Sequence, residues 1–262
     1  MAETTTRRVP IYPDLANKVA VVTGGSKGIG AATCRALAAN GVKVAVVARS
    51  KEGIEAVVDP LRSSGAEVIG LEVDCTKFSD LEAARRSVQE ELGPVDILVA
   101  FAGGFGALTP VQDITEEEWN SVIDSNLTST FLTVKTFLPG MLERRAGAIV
   151  TMASITGRFL DIPLTASYAA AKAGIVMFTR HVAKEVGRYG VRANCVAPAT
   201  SLSERVGRIM SAERIDEIAA MAPLGRIGLP EDTALATLFL ASESAEWITG
   251  VTLDIAGGRI ML

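Results

Sequence analysis

Near its start the chain joins a short apolar run to a glycine-rich turn and then to an alanine-rich segment. The run KVAVVT at 18–23 is rich in β-branched residues and predicts a buried strand, whereas 31–40 predicts a helix. Between them, Gly24, Gly28 and Gly30 allow the backbone to turn tightly and to approach a pyrophosphate, which the first N–H groups of the helix would face. A glycine-rich turn is often only a turn. Its place after the first strand of a β–α–β unit favours nucleotide binding.

Six further apolar runs follow, and helical patterns separate them. Strands alternating with helices predict a parallel sheet with helices on both faces, and runs that are apolar throughout agree with burial on both sides. We therefore predict an α/β fold, a Rossmann-type doubly wound sheet of seven parallel strands in a single domain. The six runs are 42–48, 67–74, 95–100, 148–153, 191–197 and 252–255. The helical patterns cover 51–62, 79–92, 115–138, 167–189, 203–221 and 230–240.

Local signals mark some of the helix ends. Ser79 with Glu82, and Thr115 with Glu118, have the spacing of a capping box. The pair Pro139–Gly140 predicts a bend at the end of the 115–138 helix.

The chain divides into three parts by composition. Residues 1–14 read as a flexible polar arm, and 15–262 as the Rossmann-type domain. Within the domain, about 199–222 reads as a mobile lid after strand six.

Composition excludes several classes of protein. The net charge of −4 without a basic block argues against nucleic acid as a partner, and no apolar run reaches the length of a membrane helix. The N-terminus has no apolar stretch after its charges, so we expect a cytoplasmic protein without a secretory signal. The three cysteines form no CxxC and the single histidine has no partners at metal-ligand spacing, so we expect reduced core thiols and no metal site.

The end of strand two bears on the choice of cofactor. An acidic residue there would accept hydrogen bonds from the ribose of NAD and repel a 2′-phosphate, but this chain has Ala48-Arg49-Ser50. Arg49 can pair with a phosphate, and Lys27 in the glycine loop adds a second cation. Two cations and no carboxylate predict NADP(H), the alternative being two solvated surface charges.

Asp74 ends strand three. Its carboxylate is placed to accept a hydrogen bond from the amino group of an adenine, and an aspartate that only forms a turn is a nearly equal alternative. Cys75, beside it, is the one cysteine that we place near a site.

Tyr168 and Lys172 are four residues apart in SYAAAK, so on a helix both side chains lie on one face. An ammonium beside a phenol favours the phenolate, so we expect Lys172 to lower the pKa of Tyr168 and to fit it for proton exchange with an alcohol or carbonyl oxygen. Ser154, after the apolar run, is placed to hold the same oxygen, or it caps a turn instead. Taken alone, a tyrosine and a lysine at this spacing are common on helices.

In order and spacing these residues resemble the short-chain dehydrogenase/reductase family, in its compact subclass, and are similar to its 3-oxoacyl-(acyl-carrier-protein) reductases. The resemblance covers about Leu15 to Gly258. It rests on Thr23-Gly24-x-x-x-Gly28-x-Gly30, Asp74, Ala102-Gly103, Asn126, Ser154, Tyr168-x-x-x-Lys172 and Asn194-x-Val196-Ala197-Pro198.

The resemblance implies roles for individual residues. Tyr168 would be the general acid in reduction and the base in oxidation, with Lys172 lowering its pKa and holding the nicotinamide ribose. Ser154 would hold the substrate carbonyl, and Asn126 would place a water that links Lys172 to solvent, unless it is only a polar residue packed in its helix. The cofactor-binding residues would be Gly24, Ser26, Lys27, Gly28, Ile29, Gly30, Arg49, Ser50, Asp74, Cys75, Ala102, Gly103, Tyr168, Lys172, Pro198 and Ser203. The substrate-binding residues would be Gly104, Phe105, Ser154, Ile155, Leu160, Tyr168 and Leu202. The family also implies a homotetramer or homodimer.

Two stretches depart from the family pattern. Strand four ends Ala100-Phe101-Ala102-Gly103, where the family has Asn-Asn-Ala-Gly, so we expect another group or a water to brace this turn. After strand six Ala199 replaces a glycine, and Ser203 stands where the family has a threonine.

The function that these residues predict is NADPH-dependent, reversible reduction of a ketone to a secondary alcohol. The candidates around the site are mostly apolar, which suits an acyl chain, an alicyclic ketone or a polyketide, although such residues can equally hold only the lid. Within the enzyme class, a 3-oxoacyl-thioester reductase is the first candidate, and a reductase or dehydrogenase of a secondary-metabolite or xenobiotic ketone is the second. A non-catalytic NADP(H)-binding sensor or scaffold is the alternative from another class.

Overall fold

The structure is a computed structural model that describes residues 8–160 and 165–261. All seven strands in these ranges pair in parallel, in the order β3-β2-β1-β4-β5-β6-β7. The predicted single-domain, doubly wound α/β sheet is therefore confirmed. The strands are β1 Val19–Thr23, β2 Lys43–Ala48, β3 Val68–Glu72, β4 Ile97–Ala100, β5 Gly147–Met152, β6 Val191–Pro198 and β7 Thr252–Ile255. The helices are α1 Gly28–Ala38, α2 Lys51–Ser63, α3 Phe78–Glu91, α4 Glu116–Ile123, α5 Ser129–Arg144, α6 Ala166–Val186, α7 Glu204–Ile209, α8 Ala212–Ala220 and α9 Pro230–Ala241.

The core lies in two layers, one on each face of the sheet. Val22 and Val46 face a layer that includes α1, α2 and α9, whereas Val21 and Val47 face a layer that includes α3, α5 and α6. Because successive residues of a strand point to opposite faces, central strands covered on both sides must be apolar at every position.

The capping prediction for α3 is wrong. The helix begins at Phe78, with Lys77 at its N-cap, so Ser79 lies inside the first turn and its hydroxyl bonds Asp80. The box of Thr115 and Glu118 is confirmed at the start of α4.

The predicted 115–138 helix is interrupted in a different place from the one we expected. A π-helical turn, Asp124–Thr128, separates α4 from α5, and α5 continues through Pro139 to Arg144. Phe137 and Met141, on either side of the proline, are buried in the core and hold the last turn of the helix in place. The lid segment is also two helices, α7 and α8, each capped by a serine hydroxyl.

The described part of the expected N-terminal arm contacts the body of the protein. The backbone N–H of Tyr12 donates to Asn40 Oδ1, and Asp14 accepts from the N–H of Glu243. Residues 1–7 of the arm lie outside the described ranges.

Within the described residues, no helix has the length and apolar content needed to cross a membrane. The same ranges contain no cluster of three or more His, Cys, Asp or Glu side chains that could hold a metal ion. Cys34, Cys75 and Cys195 are buried free thiols.

Candidate active site

The carboxyl ends of the parallel strands bring the predicted site residues to one edge of the sheet. The glycine loop follows β1, Ala102 and Gly103 follow β4, Ser154 follows β5, and Ala199 follows β6. These four strands are neighbours in the sheet, so residues scattered over the sequence share one crevice.

The glycine loop is packed so closely that side chains are excluded from two of its positions. A Cβ at Gly24 would lie 2.7 Å from the carbonyl oxygen of Phe101, and one at Gly30 would lie 2.1 Å from the carbonyl oxygen of Gly24. Gly24 and Gly28 also have positive φ angles, which glycine adopts without strain. The resulting cradle of backbone at the start of α1 fits a pyrophosphate.

Two of the expected cofactor residues lie beside this cradle. A Cβ built on Gly28 would lie 3.7 Å from the Cβ of Ser203. A Cβ built on Gly53, in the first turn of α2, would lie 3.2 Å from the Cβ of Ser26. The start of the lid and the start of α2 therefore both contact the glycine loop.

The end of β2 is exposed and cationic. Arg49 and Lys27 are both exposed, and Lys27 makes no side-chain cap at α1. Ser50 caps α2 by accepting from Gly53 N–H, and its hydroxyl donates to Glu52. The guanidinium and the ammonium are thus available to a phosphate at this end of the crevice.

Asp74 forms a local turn. Its Oδ1 accepts from the N–H and the hydroxyl of Thr76, and these hydrogen bonds hold the pKa of its carboxyl below the usual value. Cys75 is buried, and burial raises the pKa of its thiol to about 12. Of the two roles that the sequence offers for Asp74, the turn is thus realised, while the contact with adenine stays a prediction.

Thr23 braces the exit of β4, where the two family asparagines are missing. Its hydroxyl oxygen accepts from Phe101 N–H at 3.1 Å and from Ala102 N–H at 3.2 Å, and both Thr23 and Phe101 are buried. The expected substitute is therefore a side chain of β1. No local pattern in the sequence indicates this contact, because it joins residues 78 positions apart.

Asn126 holds the next part of the same loop. It lies in the π-helical turn, fully buried, with Oδ1 accepting from Gly104 N–H and Nδ2 donating to Gly104 O. A Cβ at Gly103 would lie 2.5 Å from Asn126 Oδ1. The amide thus clamps the loop beside the site, and its expected part in a proton relay stays a prediction.

Ser154, Tyr168 and Lys172 meet at the end of β5. Ser154 begins a tight turn, here called the serine turn (residues 154–158), and hydrogen-bonds the phenol of Tyr168. Thr165 caps α6 by accepting from Tyr168 N–H, which puts the phenol in the first turn of the helix. Lys172, one turn further, is 3% exposed, and its Nζ donates to Met152 O at 2.9 Å.

The electrostatics of this group correct one expectation. Burial raises the pKa of the Tyr168 phenol above its usual value, and the hydrogen bond with Ser154 offsets only part of this. Burial lowers the pKa of the Lys172 ammonium to about 8. We expected Lys172 to lower the pKa of Tyr168. Desolvation dominates instead, because both groups are buried and Nζ is directed at the carbonyl of Met152.

Some of the expected substrate residues lie beside the Tyr168 ring and others do not. Phe105 lies edge-on to the Tyr168 ring, with 6.4 Å between the ring centroids. Ile155, by contrast, is buried against Ala256 and Ile260, and Leu160 is exposed. A cavity of about 360 Å³ lies beside the start of α6, with Gly106, Thr109, Ser121, Thr165 and Ser167 among its lining residues.

Comparisons with known proteins agree with this geometry. The family model described as short chain dehydrogenase matches residues 18–214. The chain belongs to this family. It is 39% identical over 249 residues to the 3-oxoacyl-(acyl-carrier-protein) reductase FabG of Vibrio cholerae, covering 95% of this chain and 100% of that protein.

Two further likenesses broaden the picture. The 2-(S)-hydroxypropyl-CoM dehydrogenase 3 of Xanthobacter autotrophicus is 38% identical, over 93% of this chain and 97% of that protein. The crystal structure of levodione reductase superposes with a TM-score of 0.88 at 32% identity, covering 93% of this chain and 98% of that one. The chain is therefore a short-chain dehydrogenase/reductase, an oxidoreductase that acts on CH–OH and C=O groups.

Proposed function

We propose that this protein reduces the ketone of a 3-oxoacyl thioester with NADPH, reversibly, through Tyr168, Ser154, Lys172 and Asn126. The observation that carries the proposal is the meeting of Ser154 with the phenol of Tyr168, one helical turn from a buried lysine, at the sheet edge that also holds the glycine cradle. A protein that only binds the cofactor has no need of a serine, a tyrosine and a lysine in this arrangement.

The residues present fit NADP(H). The cradle at Gly24 and Gly30, which side chains would fill, suits the pyrophosphate, and exposed Arg49 and Lys27 suit a 2′-phosphate. The remaining contacts would come from Ser26, Gly28, Ile29, Ser50, Asp74, Cys75, Ala102, Gly103, Tyr168, Lys172, Pro198 and Ser203. When bound, NADPH supplies the hydride for the carbonyl carbon.

The side chains of the chain handle the proton and the oxygen. Ser154 donates a hydrogen bond to the substrate oxygen, and Tyr168 donates its phenolic proton to that oxygen as negative charge develops on it. In the reverse direction the phenolate takes the proton from the alcohol. Lys172 would hold the hydroxyls of the nicotinamide ribose, and because burial lowers its pKa to about 8, its charge changes close to working pH.

The choice of substrate rests on the relatives. The nearly full-length likeness to 3-oxoacyl-(acyl-carrier-protein) reductases favours a 3-oxoacyl thioester. The likeness to levodione reductase and to a hydroxypropyl-CoM dehydrogenase supports the second candidate, a ketone or alcohol of secondary or xenobiotic metabolism.

A ketone panel tests the proposal. Loss of the absorbance of NADPH is followed with an acetoacetyl thioester, a β-keto ester, a cyclic diketone and an aryl ketone, with NADH in parallel. We expect the thioester to be reduced with the highest kcat/KM and NADPH to be preferred. Faster turnover of another ketone would favour the second candidate, and NADPH binding without any turnover would favour a sensor.

We propose in addition that the protein is a homotetramer. Apolar side chains are exposed on neighbouring helices, with Met177 of α6 60% exposed and Phe131 of α5 and Trp119 of α4 also accessible. Light scattering tests this, and a monomeric mass at assay concentration would contradict it.

A further inference from the structure

The serine turn is followed by a charged side chain that reaches across the sheet. Arg158 ends the turn, and its Nη1 donates to Asp254 Oδ2 and to the carbonyl oxygen of Thr252. Both of these residues belong to β7, and β6 lies between β7 and β5. The side chain thus ties the end of the serine turn to the edge strand of the sheet, 96 residues away in sequence.

This ion pair is largely buried. The side chain of Arg158 is 16% exposed and that of Asp254 18% exposed. Charges in such surroundings lose hydration, and a well-packed apolar pair is often at least as stable. The pair is therefore weak as a device for stability, whereas its directional hydrogen bonds fix a geometry.

The other side of the serine turn rests on α6. A Cβ at Gly157 would lie 2.5 Å from the backbone carbon of Lys172 and 2.7 Å from the nitrogen of Ala173. The serine turn therefore packs against the backbone of Lys172, which lies one helical turn after Tyr168. On the opposite side, Ile155 packs against Ala256 and Ile260, in the segment that follows β7.

We propose that Arg158 and Asp254 are positioning residues for the reaction: their ion pair holds the serine turn against α6 and so sets the place of the Ser154 hydroxyl relative to Tyr168. Neither side chain is proposed to touch the substrate. This inference rests on the proposed role of Ser154, and it assigns a function in catalysis to the contact between the serine turn and β7.

The alignment of a reacting group is sensitive to small displacements, since a shift of about 1 Å can cost on the order of 100-fold in rate. We therefore expect Asp254→Asn and Arg158→Met each to lower kcat by roughly 10-fold to 100-fold, while the Kd of NADPH changes less than about twofold. Arg158→Lys keeps one donor and should recover part of kcat.

The double variant Arg158→Met/Asp254→Asn separates positioning from stability. Each single variant leaves one charge buried without its partner, whereas the double variant leaves none. We expect the double variant to regain much of the Tm that the single variants lose, but to keep the low kcat. If kcat returned together with Tm, the pair would be structural only and the proposal would be wrong.

Two reference variants complete the test, each assayed on the best ketone of the panel. Arg85→Met removes another arginine–carboxylate pair, Arg85–Glu82, which lies within α3, and should keep the wild-type kcat. Ser154→Ala reports on the proposed function itself. Unchanged kcat in Ser154→Ala would overturn the role of the serine, whereas low kcat in Ser154→Ala with wild-type kcat in Arg158→Met and Asp254→Asn would overturn only the positioning role.

Discussion

The ammonium of Lys172 is held by the backbone of β5: its Nζ lies 2.9 Å from the carbonyl oxygen of Met152, two residues before Ser154. The same Nζ is 5.5 Å from the centre of the Tyr168 ring. Strand β5 therefore both precedes Ser154 and holds Lys172, so one element fixes the positions of both residues relative to the Tyr168 phenol.

The buried lysine gives the stability of the protein a predictable pH dependence. Its pKa is about 8 in the folded state against 10.5 ordinarily, so between these values the unfolded chain binds more protons and the free energy of unfolding rises with pH. Lys172→Met lacks this contribution. The stability of the wild type relative to the variant should therefore increase between pH 8 and pH 10.5, by roughly 3 kcal/mol at most. Urea denaturation of both proteins at several pH values measures it, and a constant difference would contradict it.

Ser154→Ala should change the pH profile of alcohol oxidation. Burial raises the pKa of Tyr168, and the hydrogen bond with Ser154 lowers it. Loss of that hydrogen bond should therefore raise the pKa of Tyr168 further. The rising limb of kcat/KM, which reports the phenolate, should move to higher pH, and kcat should fall on the order of 100-fold. Ser203→Ala, which removes a hydroxyl outside this group, should leave the limb where it is.

Arg49→Glu should weaken NADPH much more than NADH. A charge-assisted hydrogen bond to a phosphate contributes about 1.5–3 kcal/mol, so KM for NADPH should rise roughly 10-fold to 100-fold. Lys51→Glu, a charge reversal two residues further on, is a matched control. Equal effects of Arg49→Glu on the two cofactors would show that this arginine does not meet the 2′-phosphate.

Thr23→Val should destabilise the fold although it preserves shape. It removes the acceptor of two backbone N–H groups, those of Phe101 and Ala102, and leaving such groups unsatisfied costs about 1–3 kcal/mol. Thr33→Val is the matched control, because the hydroxyl of Thr33 is equally buried but only donates to Ile29 O within α1. Urea denaturation of both variants measures the difference, and equal losses of stability would contradict the bracing role of Thr23.

The parts of the molecule that follow from local chemistry could be predicted from the sequence. Apolar runs that alternate with helical patterns identified each of the seven strands in the described ranges. The spacing of Tyr168 and Lys172 placed both residues on one face of α6. Ser154 was expected at the end of β5 because a side chain that follows a parallel strand lies at the edge where the crevice forms.

The remaining features depend on contacts between distant segments. The bracing of β4 by Thr23 and the pairing of Arg158 with Asp254 join residues 78 and 96 positions apart. The direction of the Tyr168 pKa shift also escaped prediction, because it reflects how deeply the phenol is buried, which the sequence spacing does not reveal.

Tyr168→Phe tests the central claim most directly, since the variant loses one hydroxyl and little else. Turnover of the best ketone and the Kd of NADPH, from the change in its fluorescence, are measured on the same preparation. We predict that NADPH binding stays near the wild-type value while turnover falls by at least about 100-fold, the lower end of what a general acid contributes. Wild-type turnover in this variant would contradict the mechanism, whatever the identity of the substrate.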